Sequence, residues 1–175
     1  MTHGLDARGW TPLVLACLLL LAAGCGYQPL GTGSLPAEIQ RLHLAPLTND
    51  TFRPGLQGLV GAAILRRLQQ DGRMHLASQE IADAVLSGNL TAYENIPIAF
   101  DTSDVGRRFR VRLIFAMRLT QRGEEKVLLK EEITGEAFYT TGSDVVGTRS
   151  AEEEADQRAA QDLAAQVVTR LLEGL

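Results

Sequence analysis

Cysteine is scarce in this chain of 175 residues: there are two, Cys17 and Cys25, and both fall in the first 25 positions. Beyond them the chain has no thiol, which excludes an internal disulfide, a cysteine-based metal site and a cysteine nucleophile from its body. The only tryptophan, Trp10, lies in the same early stretch. Long hydrophobic runs are missing too. The longest, Leu13 to Ala23, has 11 residues, against the roughly 20 a helix needs to cross a bilayer. Nor does charge of one sign dominate. Seventeen Lys and Arg against 21 Asp and Glu leave a net charge of −4, which argues against nucleic acid as the main partner. Patterns of catalysis are likewise absent. His43 and His75 have no carboxylate at metal-ligand spacing, Ser87-Gly88 and Thr140 to Ser143 read as turns, and Asp101 and Asp104 lack an acid–base partner. The chain therefore reads as non-enzymatic, with no catalytic residue, no metal and no cofactor.

What is present begins with the short apolar run. Its length is that of a signal-peptide h-region, and it closes on Leu21-Ala22-Ala23-Gly24-Cys25-Gly26. Small side chains let the backbone enter a lipoprotein signal peptidase, and the thiol that follows can carry a diacylglyceryl group. The stretch resembles a bacterial lipobox with cleavage before Cys25. Residues 1–24 are then a lipoprotein signal peptide, and removing them leaves 151 residues, enough for about one domain. Residues 25–37, rich in glycine and proline, read as a lipidated flexible tether, and residues 38–175 as an α+β domain. One acyl chain holds a protein only marginally, whereas the several chains a lipobox implies anchor it stably. Gly26 follows the cysteine where an inner-membrane retention signal would place Asp. The expected location is the outer membrane, with the domain facing the periplasm or the lumen of a barrel.

In the body, Ile39 to Ala45 reads as a strand that Pro46 ends, and Leu47 to Thr51 as a turn. Pro54 suits the start of a helix. Leu56, Leu59, Val60, Ala63, Ile64 and Leu68 recur at spacings of three and four, and Gly72 suits its end. Arg73 to Ala77 is a short possible strand and Ala82 to Tyr93 a clearer one. Glu94 to Gly106, with Pro97, reads as a connection. Its Ile96, Ile98 and Phe100 are core at a strand end or a partner contact. Arg107 to Thr120 alternates most cleanly: Phe109, Val111, Leu113, Phe115, Met117 and Leu119 point one way, and Arg108, Arg110, Arg112 and Arg118 the other. Lys126 to Tyr139 returns beside it, with Glu131 on the apolar side predicting a bulge or early edge. Ser150 and Glu153 form a capping box for a helix over Ala151 to Leu172. The order β-α-β-β-β-α predicts an α+β two-layer sandwich: a mainly antiparallel four-stranded sheet with two helices on one face.

Several short motifs fall in a fixed order: Cys25-Gly26-Tyr27-Gln28-Pro29-Leu30, Leu35-Pro36, Asn49-Asp50-Thr51-Phe52-Arg53-Pro54-Gly55-Leu56, Ala82 to Gly88, and Arg107-Arg108-Phe109-Arg110-Val111. In this order the chain resembles the LptE family of lipopolysaccharide-assembly lipoproteins over nearly all of its processed length. The resemblance implies a lipoprotein that plugs the outer-membrane β-barrel LptD, assists its assembly and takes part in delivering lipopolysaccharide to the outer leaflet. A binding module of another envelope complex, such as a lipid transporter or a cell-wall synthase, is the alternative.

The sharpest local feature is the arginine stripe Arg107, Arg108, Arg110 and Arg112. Like charges at alternate positions of one strand repel. They are arranged either to pair with phosphates of lipopolysaccharide or acidic groups of a barrel, or to be neutralised by Glu132, Glu136 and other acids on neighbouring strands. The anchor itself is directly testable. Mass spectrometry of the chain from cell membranes is expected to show Cys25 as the acylated first residue, and Cys25→Ala is expected to abolish both processing and acylation.

Overall fold

The computed structural model describes residues 39–173, apart from 104, 124, 125 and 143. The expected signal peptide, Cys25 and the expected tether lie outside the described residues. Strand β5, Gly106–Gln121, shows the expected alternation: Val111, Leu113, Phe115, Met117 and Leu119 are buried, and the arginines take the opposite side. On its two flanks run β4 (Ala84–Phe100) and β6 (Val127–Thr140), both antiparallel to it. β1 (Arg41–Leu44) lies parallel to β4 and to β3 (His75–Leu76), while β2 (Thr48–Asn49) pairs in parallel with the middle of β4. The sheet has six strands, ordered β3-β1-β4-β5-β6 with β2 beside β4.

Two helices, α1 (Leu56–Asp71) and α2 (Val145–Glu173), contribute their apolar faces to the same core. The α+β two-layer architecture is as expected, but the sheet is mixed. The reason lies in the chain order. α1 separates β1 from β4, and a strand–helix–strand crossover brings the second strand back parallel to the first. Only the run from β4 to β6, joined by direct turns, is antiparallel.

Three local expectations fail. Glu94 to Gly106 is not a connection, because β4 continues to Phe100. Beyond Leu90 no described strand flanks β4 on the β2 side, so Pro97 sits at a sheet edge, where proline is tolerated. Register shifts at Thr91 and Ile98 mark bulges. The first moves the core-facing position from Leu90 to Tyr93, leaving Ala92 off the phase that strict alternation assigns it. Second, Ser87-Gly88 is no turn: Gly88 lies mid-strand opposite Met117, and the ring of Phe115 occupies the place of its missing side chain. Third, α2 begins at Val145 rather than Ala151. Its first turn closes on Asp144, whose Oδ1 accepts from the Gly147 N–H at 2.6 Å and whose carbonyl accepts from the Thr148 N–H at 3.1 Å. This cap precedes the Ser150–Glu153 pair, which falls inside the helix. Two smaller shifts accompany these. Leu47 to Thr51 contributes β2, and α1 starts after Gly55, which takes a left-handed φ of 86°.

The expected irregularity near Glu131 is displaced. The β5–β6 register shifts at Leu128, and Glu131 meets Arg170 of α2 at 3.5 Å. Beyond that point α2 guards the outer edge of β6. Gln166 donates to the Thr134 carbonyl at 2.7 Å, Asp162 accepts from the Glu136 N–H at 2.9 Å, and Arg158 donates to the Phe138 carbonyl at 2.8 Å. Three helix residues spaced by four thus occupy main-chain groups that a foreign strand would otherwise use.

Such close contact between α2 and β6 needs a residue without a side chain. A Cβ at Gly135 would stand 2.4 Å from the Ala159 carbonyl oxygen and 2.4 Å from Leu163 Cβ. Gly135→Ala is therefore expected to lower stability by about 1–3 kcal/mol, the range of overpacked cores, as read by urea unfolding.

Candidate functional site

The outer face of β4–β5–β6 carries three of the four stripe arginines in a row, and the strand pairing decides what each one meets. Arg112 stands between Glu94 and Glu136 in the register. Its Nε donates to Glu136 at 2.7 Å and its other end reaches Glu94 at 3.5 Å. Arg107 turns away to the hairpin, where it pairs with Asp101 at 2.7 Å. The Asp101 carboxyl also accepts from the N–H groups of Ser103 and Val105, and these, with Arg107, hold it below the usual carboxylate range.

Arg110 lies between Ile96 and Phe138. Its closest acid is Glu136 at 4.0 Å, and its Nε is buried without a hydrogen-bond partner. Arg108 has no described carboxylate within 4.0 Å and rests over the Phe138 ring, 5.3 Å from its centroid. The stripe thus divides into two arginines committed to internal acids and two, Arg108 and Arg110, without a close one. At this end of the face three guanidiniums, Arg108, Arg110 and Arg112, stand against two carboxylates, Glu94 and Glu136. Glu136 neutralises as expected, but Glu132 makes no ion pair among the described residues. Its expected place is taken by Glu94, which reading Glu94 to Gly106 as a connection had removed from the sheet.

A second polar cluster lies on the helical side, and the sequence reading missed it. Asp156 of α2 is almost fully buried. Its Oδ2 accepts from Arg53 at 2.8 Å and its Oδ1 from the Tyr93 hydroxyl at 3.0 Å. Arg53 also reaches Glu152 at 3.1 Å and lies over the Tyr93 ring. Burial raises the Asp156 carboxyl above its ordinary range despite Arg53, and burial with the neighbouring carboxylate raises the Tyr93 hydroxyl. The signal was in the spacing. Asp156 falls four residues before the buried Ala160, inside the apolar stripe rather than beside it. An open cleft of about 540 Å³ adjoins this cluster, lined by Arg53, Arg149, Glu152 and Glu153 among others.

Among the described residues no three His, Cys, Asp or Glu side chains converge as a metal site, and no helix is long and apolar enough to cross a membrane. His43 bonds the Ala77 carbonyl, and His75 is exposed on the short edge strand.

A two-layer α+β domain with a charged open sheet face defines the class. Protein XCC0632 from Xanthomonas campestris has the same fold at 13% identity and a TM-score of 0.56, over 81% of this chain and 91% of that one. CT253 from Chlamydia trachomatis matches at 16% identity and a TM-score of 0.53, over 77% and 95%. A minor lipoprotein from Acinetobacter baumannii matches at 16% identity and a TM-score of 0.50, over 77% and 93%. No curated protein matches the chain in sequence. The family model LptE, lipopolysaccharide-assembly, matches residues 39–171, and the chain belongs to that family.

The buried cluster sets a stability test. Arg53→Met leaves Asp156 buried without its cation and is expected to cost about 3 kcal/mol in urea unfolding, whereas Asp156→Asn costs less because it removes the charge with its desolvation. The folded carboxyl keeps its proton above pH 3.8, where the unfolded one has lost it. The contribution of this carboxyl to stability therefore falls as pH rises through the range just above 3.8, and Asp156→Asn is expected to remove that component, read as the difference between the two pH profiles.

Proposed function

We propose that this chain is an outer-membrane lipoprotein, anchored through Cys25, that plugs the lumen of an LptD-like β-barrel and takes part in delivering lipopolysaccharide to the outer leaflet. Family membership supports the assembly role. The observation that carries the mode of contact is the open sheet face, where Arg108, with no described carboxylate within 4.0 Å, and Arg110, which meets Glu136 only at 4.0 Å, stand beside Ile96 and Phe138. A plug must contact strands and water together, and this face offers cationic donors among apolar side chains. The guanidinium fork suits phosphates and carboxylates, which are carried by lipid A, core sugars and acidic barrel residues alike. Edge pairing is a poor route to a partner here: α2 occupies the main-chain groups of β6, and Pro97 with two bulges interrupts β4.

A detergent pull-down from membranes tests the reading. The tagged chain is expected to recover a large β-barrel protein in stoichiometric amount at moderate salt. Arg108→Ser with Arg110→Ser is expected to lower that recovery or lipopolysaccharide binding about tenfold, the scale of a lost charged hydrogen bond. Arg107→Ser, whose guanidinium is committed to Asp101, is expected to leave it unchanged. Recovery of an ATPase complex or a peptidoglycan synthase in place of the barrel would replace this function with the alternative envelope role.

A further inference from the structure

The segment Asn49 to Leu56 stands out in the sequence, yet the arginine face makes no use of it. Its polar side chains all serve to fix its backbone. Asn49 Oδ1 accepts from the Thr51 N–H at 3.0 Å and from the Thr51 hydroxyl at 2.7 Å, and Asn49 Nδ2 donates to the Arg53 carbonyl at 2.9 Å. Asp50 accepts from Asn89 of β4, and Arg53 is held by Asp156 and Glu152. Between these fixed neighbours sits Phe52, 85% exposed, its ring edge-on to Tyr93 at 6.2 Å between centroids.

Single exposed apolar side chains are ordinary on protein surfaces. Phe52 differs because a buried ion pair and a hydrogen-bonded turn hold the residues on both sides of it. A side chain presented this way loses little freedom when a partner covers it, and rigid aromatic anchors of this kind concentrate binding energy at protein interfaces. The surroundings distinguish the partner. The adjoining cleft is lined by Glu152, Glu153 and Asp156 against Arg53 and Arg149, three carboxylates to two guanidiniums, and Asp50 lies nearby in the chain. Such a rim disfavours an anionic lipid surface, which attracts basic flanks and several apolar side chains together. It suits a protein socket that is apolar at its centre and offers donors at its margin.

We propose that Phe52 is a preorganised anchor that enters an apolar socket of the barrel protein inferred above, so this inference rests on that reading. A photoreactive benzoylphenylalanine at position 52 of the full lipidated chain is expected to form an adduct with the barrel. Phe52→Ala is expected to lower barrel recovery roughly tenfold with at most a small shift of the urea midpoint from the lost edge-on contact with Tyr93, and Phe52→Leu to lower it less. Barrel recovery that Phe52→Ala leaves intact would overturn the anchor while sparing the plug. So would an adduct with lipid, or with a second copy of the chain. Failure of the wild-type chain to recover any barrel would overturn both.

Discussion

The two-residue period of β5 is the constraint on which the rest of this domain depends. Five consecutive inward positions, Val111 to Leu119, are apolar and fully or almost fully buried. Burying each large one contributes about 1.5–3 kcal/mol, so a one-residue slip of register would cost an amount comparable to a small domain's whole net stability. That fixes β5, and β5 in turn fixes β4 and β6 through continuous pairing. The same alternation that fills the core delivers Arg108, Arg110 and Arg112 to the opposite face in a row. The arginine face is therefore a geometric consequence of the core, and its chemistry is set by what the flanking strands bring alongside.

How much of this could be read from the chain depended on whether the signal was local. β5 and the apolar stripe of α1 follow from periodicity alone, and both are found where the spacing puts them. The far half of β4 was hidden by Pro97, which reads as a strand breaker. Its tolerance here comes from the position of this half of β4 beyond β2, where no described strand flanks it on that side, a fact of tertiary arrangement. That error removed Glu94 from the sheet and with it half of the acid that holds Arg112. The early start of α2 was legible in principle, since Asp144 followed three residues later by Gly147 is a workable cap. The Ser150–Glu153 pair downstream matches the Ser–x–x–Glu capping pattern more closely, although it lies inside the helix. The parallel pairing of β1 was implicit in the order strand, helix, strand. Asp156 was invisible for a different reason. The site of the arginine that pairs with it, Arg53, lies 103 positions away, and no local rule connects them.

The edges and faces of the sheet divide their tasks. An open sheet has two edges, and each is a template for an unwanted strand. Here one edge is covered by side chains of α2 at a spacing of four, which is the repeat that keeps them on one side of the helix as it runs along β6. The other is short at β3 and, farther up, broken by proline and bulges. With the edges protected and one face under helices, the part of the sheet left free is the outer face of β4–β5–β6. This leaves partner binding to side chains rather than to main chain, so specificity rests on guanidiniums and on the apolar groups between them.

A buried ion pair is weak support for stability by itself, since desolvation can exceed the attraction. The raised carboxyl of Asp156 says the same of this pair: burial outweighs Arg53. Packing an aliphatic residue there would serve the core as well. What an aliphatic residue could not do is hold the segment before α1 in one position, because dispersion has little direction whereas a guanidinium fork meeting a carboxylate admits few geometries. Arg53 also lies over the Tyr93 ring, and Tyr93 is core-facing only because the bulge at Thr91 turned it there. The irregularity in β4, the charged residue in the apolar stripe of α2 and the fixed conformation of the Asn49–Gly55 loop are thus one arrangement. Each departs from the regular pattern of its own element, and each supplies what the other two require.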